Sequence, residues 1–142
     1  MSLPVLVALV VIGIALSVAA VHFTGGTKTA TLAGTDPALQ RFAEDFPDER
    51  AAAVRLTADR RTAFLELDCG RTGIVHSIGD CFLTRIVTAP DILALDVDDA
   101  GTISLRLADF SWKGGRFAFA DSADAKAVAA ALRTLDRARE AA

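Results

Sequence analysis

The sequence predicts an α+β chain, mostly β, in which one N-terminal transmembrane helix precedes a seven-stranded antiparallel meander closed by a C-terminal amphipathic helix. Three observations carry this. A charge-free apolar run opens the chain. From about residue 51 apolar residues recur at every second position, in short runs separated by turn residues. Near the C-terminus the apolar period lengthens to 3.6.

Residues 3–21 read LPVLVALVVIGIALSVAAV, 19 residues without a charge. At 1.5 Å per residue such a helix is about 28 Å long, close to a hydrocarbon core of about 30 Å. Twelve of the 19 are Leu, Ile or Val, and together they favour insertion by roughly 4 to 7 kcal/mol. Pro4 falls in the first turn, where it removes no hydrogen bond the helix needs. His22 and Phe23 suit the headgroup boundary, so residues 1–23 are read as an anchor. The rival reading is a cleaved secretory leader, since Ser17-Val18-Ala19 resembles a small-x-small site before Ala20. MSLP lacks a basic n-region and the apolar run exceeds the usual length of about 7 to 15, which favours a retained anchor. Gly13 and Ser17 stand four apart, a spacing that lets a partner helix approach, although small residues are common in transmembrane helices without one.

All 33 charged residues (15 basic, 18 acidic) lie at or beyond Lys28, so the high apolar content belongs to the leader, and the remainder is an ordinary domain of net charge −3. That sign gives no global attraction for nucleic acid, and the densest basic pair is only Arg60-Arg61. Lys28 is the single basic residue flanking the anchor, and it leans toward a cytoplasmic domain at the cell (inner) membrane.

Residues 24–35, TGGTKTATLAGT, read as a flexible linker. A short amphipathic helix is expected over 36–50, capped by Asp36 with Pro37 at its first position, presenting Leu39, Phe42 and Phe46 as one stripe, and ended by Pro47. Its polar residues Glu44, Asp45 and Asp48 favour packing on the domain over lying in the bilayer interface, where Lys and Arg are wanted.

Residues 51–142 form the β domain. Strands are expected at 52–57, 62–68, 73–78, 81–88, 91–97, 102–109 and 116–120. Gly79-Asp80 makes a two-residue hairpin turn. The clearest strand, 102–109, points Ile103, Leu105 and Leu107 inward and Ser104 and Arg106 outward. In the closing helix Ala125, Val128, Ala129, Leu132 and Leu135 share one face, with Asp121 or Ser122 as its cap. Seven strands leave two open edges and two faces to cover; two near-orthogonal sheets with the helix across one end would solve both problems. By element order alone, 52–139 resembles the pleckstrin-homology-like fold, here on a single-pass, bacterial-type anchor; a plain α+β meander satisfies the same pattern.

Little in the sequence can carry chemistry. Of the two histidines, His22 falls at the bilayer edge and His76 in mid-strand, where a structural or surface role outweighs a catalytic one. Cys69 and Cys81 match no metal or redox spacing. If they flank the third strand they stand roughly 15 Å apart, too far for a disulfide, and two free thiols fit a reducing compartment. Asp96, Asp98 and Asp99 read as a solvated turn rather than a calcium loop. No phosphate-binding glycine loop occurs. The expectation is therefore a chain with no catalytic, metal or cofactor site: a non-enzymatic interaction module tethered to the membrane, serving as an accessory or assembly subunit of a larger membrane protein complex. Its candidate protein-binding residues are Phe110, Trp112 and Lys113, and its helix–helix contact is Gly13 with Ser17. The resemblance adds an alternative, in which Arg55, Arg60 and Arg61 of the first hairpin bind anionic, phosphoinositide-like lipid headgroups. Three such side chains would contribute only about 1 kcal/mol each.

Overall fold

The computed structural model describes residues 2–24 and 29–141, apart from the side chains of 69, 135, 136 and 138–141. The expected positions of the Cys69 thiol and of Leu135 lie outside the described residues. Helix α1, Leu3–Phe23, has no buried residue and is long and apolar enough to cross a membrane. Helix α2, Thr35–Asp45, follows. Strands β1 (Ala51–Leu56), β2 (Thr62–Leu67), β3 (Thr72–Ile78) and β4 (Cys81–Val87) form one antiparallel sheet in that order. Strands β5 (Ile92–Val97), β6 (Thr102–Leu107) and β7 (Gly114–Ala118) form a second, and α3, Ser122–Ala141, closes the chain.

The first sheet is buried on both faces. Phe64, Ile74 and Val87 of its inner face join Ile103, Leu105, Phe117 and the α3 residues Ala125, Val128, Ala129 and Leu132 in the main core. Ala63, Leu65, Leu67 and Val75 of its outer face meet Phe42 and Ala38 of α2 and Leu32 of the preceding segment in a second cluster. The two sheets are joined at one corner, where the Ala58 N–H donates to the Ala118 carbonyl at 2.8 Å.

Several elements differ from the sequence expectation. Helix α2 begins at Thr35, so Asp36 sits inside the first turn, where its charge suits the helix dipole, rather than capping it. Its buried residues are Ala38 and Phe42, with Phe46 half-buried, whereas Leu39 is exposed. The reason lies opposite: Phe42 needs a floor without a side chain and finds it at Gly73, where an added Cβ would come within 2.8 Å of the ring. Strand β7 starts at Gly114, not 116, because Gly114 and Gly115 pair with Arg106 and Leu105. Gly114 has φ +91°, and a Cβ there would strike the Leu105 carbonyl. The part of the linker from residue 29 on is not free: Leu32 is buried, and its N–H donates to the Arg60 carbonyl at 2.8 Å. Asp121 does cap α3, its carboxylate accepting from the Ala123 N–H at 2.9 Å.

Candidate functional site

The loop from β6 to β7, residues 108–113, is short and braced by side-chain hydrogen bonds. Asp109 accepts at 2.8 Å from both the N–H and the hydroxyl of Ser111. Arg85 of β4 donates Nε to Asp109 and Nη2 to the Ser111 hydroxyl, each at 2.8 Å. These bonds to Arg85 and Ser111 hold the Asp109 carboxyl well below the usual carboxylate range, so the brace is charged at any physiological pH. Within it Phe110 is 100% exposed. A large apolar side chain that touches nothing, on a braced loop, would lose little freedom on being covered.

Trp112 behaves differently. It packs against the main core and stacks on His76, ring centroids 4.9 Å apart and planes 23° from parallel. His76 Nδ1 hydrogen-bonds the Thr62 hydroxyl at 2.7 Å. Burial first, then the nearby Arg61 charge, push the imidazole pKa down, so His76 is neutral at pH 7. Lys113 is exposed, and its carbonyl accepts the Leu107 N–H. Of the three residues singled out in the sequence, Phe110 and Lys113 face solvent while Trp112 supports the loop from beneath. The Arg85–Asp109–Ser111 brace escaped sequence reading; the Asp-x-Ser spacing of a local turn was its only signal.

The three arginines of the first hairpin do not form one cradle. Arg55, on β1, pairs with Glu66 at 3.3 Å and Asp124 at 3.9 Å. Arg60 turns back to donate to the Ala33 carbonyl at 3.2 Å. Arg61 lies exposed beside Asp59. Burial opposes charge on Asp59, but hydrogen bonds from the Thr57 hydroxyl and the Arg61 N–H outweigh it, so its pKa is lowered and an anion stays in the turn. In α1 the Ser17 hydroxyl donates to the Gly13 carbonyl at 2.8 Å, and a Cβ added at Gly13 would meet nothing within 4 Å.

No known protein family, characterised protein or solved structure matches the chain. Geometry alone therefore has to indicate its function. A groove of about 340 Å³ between the β5–β6 turn and α3 brings Asp98 and Asp99 near Lys126 and Arg133. Asp98 is already occupied, accepting the Ala100 and Thr102 N–H groups. The Cys81 thiol is free, exposed and held protonated by the adjacent Asp80, the opposite of an activated thiolate. No group of three metal-ligating side chains occurs among the described residues.

Proposed function

We propose that the protein is a non-enzymatic, single-pass membrane module that recruits or steadies a larger membrane protein complex, with α1 as the anchor and the β6–β7 loop as the docking element. Complete exposure of Phe110 on a braced loop carries this reading. An anchor confines the domain to two dimensions, so even a small contact gains from the raised effective concentration. Four strands, then three, then a helix is the element order behind a pleckstrin-homology-like assignment, and we read the domain that way. Lipid-headgroup binding is the weaker reading, because Arg55 is committed to two carboxylates, Arg60 donates to the Ala33 carbonyl and Asp59 sets a negative charge beside Arg61.

The test is co-purification from gently solubilised membranes. Phe110→Ala should weaken partner retention about 30-fold, the loss of a single anchoring aromatic of about 2 kcal/mol. The Arg55→Ala/Arg60→Ala/Arg61→Ala variant should retain the partner, and exchanging α1 for an unrelated apolar helix should weaken retention by removing the Gly13/Ser17 face. Unchanged retention by Phe110→Ala would sink the proposal.

A further inference from the structure

We propose that the end of the domain carrying the β1–β2 and β3–β4 turns rests on the headgroup layer of the bilayer that α1 spans. The inference rests on the membrane reading above and adds a face and an orientation to it.

Little chain separates the anchor from these turns. Helix α1 stops at Phe23, and only seven residues later the Ala30 N–H donates to the Gly79 carbonyl at 2.7 Å. Leu32 is then bonded to Arg60 and buried. Fully extended, seven residues reach about 24 Å; as a Gly-rich coil their root-mean-square reach is about 15 Å. Both turns are therefore leashed close to the lipid surface.

The opposite end of the domain is the Asp68–Gly70 turn, beside which Thr134 of α3 lies. It stands one full strand away, and the seven residues of β3 span roughly 23 Å. Turning that end toward the bilayer would lift the Gly79 attachment beyond the ordinary reach of the leash. Leu32 pins the segment a second time just downstream, so the leash enters the domain at Ala30, beside the two turns.

The surface presented downward suits a wet interface. Ile78 is half-exposed at the hairpin tip, flanked by exposed Arg60 and Arg61. Asp59 and Asp80 balance the two arginines. Contact is thus imposed by the leash and by Ile78 rather than by charge, and it should change little with salt.

The experiment uses the full chain in phosphatidylcholine vesicles containing a headgroup spin-labelled phosphatidylcholine as quencher. Cys69→Ser leaves Cys81, next to the hairpin, for a fluorophore. A second chain, Cys69→Ser/Cys81→Ser/Thr134→Cys, carries it at the far end; Cys69→Ala replaces Cys69→Ser if the serine variant does not fold. The expected result is several-fold stronger quenching at Cys81 than at position 134, equal at low and high salt. Equal or reversed quenching in chain that floats with the vesicles would overturn the orientation alone, whether a partner, a second copy or free tumbling is the cause. Quenching at Cys81 that vanishes in high salt would replace the leash by charge attraction and overturn the proposal as stated. Chain that fails to float would overturn the membrane reading, and the inference with it.

Discussion

The two faces of the first sheet are built from different parts of the chain. The inner face packs against the second sheet and α3, so its partners come from later in the sequence. The outer face packs against Leu32, Ala38 and Phe42, so its partners come from between α1 and β1. Among the described residues the main cluster holds thirteen buried side chains and the second seven. The larger one should set global stability. The smaller one couples the domain to whatever holds its N-terminus. The difference is between a face sealed by later elements and one covered by a short stretch that precedes the sheet.

Substitutions on the two faces test that division. Leu105→Asp should be the most damaging, unfolding both sheets, because an unpaired carboxylate buried in the main core costs several kcal/mol; loss of β-sheet circular dichroism would show it. Phe42→Ala should cost about 3 to 5 kcal/mol of the second cluster's packing. It should release α2 and residues 30–34 to fast amide exchange while β5–β7 stay protected. If β5–β7 lose protection in step, the two clusters are one cooperative unit and the division fails. Gly73→Ala should act through the same contact at about 1 to 3 kcal/mol, since its Cβ meets the Phe42 ring.

Smaller effects refine the picture. Thr72 has a buried hydroxyl without a partner, so Thr72→Val should raise stability by about 1 kcal/mol in a urea titration. The lowered pKa of His76 means that the unfolded chain binds the proton first. Stability should therefore be full above about pH 6.5 and fall as pH drops from there toward the lower folded value. Trp112, the only tryptophan, stacks on that ring and reports on it by fluorescence; His76→Gln should remove that slope. Arg106→Glu, on the exposed side of β6, should change stability by no more than about 0.5 kcal/mol.

Alternation made the seven strands legible, because the side a residue faces is decided within two positions. Ile103, Leu105 and Leu107 point inward and Arg106 outward on that rule alone. The same rule hid the second cluster. It assumes one wet face, yet β2 buries Ala63, Leu65 and Leu67 on one side and Phe64 on the other. The cover for that second face includes Leu32, set in a Gly- and Thr-rich stretch whose composition reads as free chain. In α2, size misled: Leu39 outweighs Ala38 in any pattern, but the space above Gly73 selects the Ala38–Phe42 face. At the candidate site Phe110 was visible as an aromatic among turn residues. The brace beneath it was not, since Arg85 lies on another sheet, 24 residues away.

The grip of residues 30–33 on the two turns also has a mechanical meaning. On the membrane reading proposed above, a pull between α1 and the domain would load the Ala30–Gly79 and Leu32–Arg60 bonds before any strand of either sheet. Those few contacts should part first, under the lowest force. Their release frees the chain from Phe23 to Thr35, and the permitted standoff grows from about 24 Å to about 41 Å. Under such a load the segment would act as a slip catch, keeping the domain close to α1 at rest and letting out roughly 17 Å of slack once the contacts part.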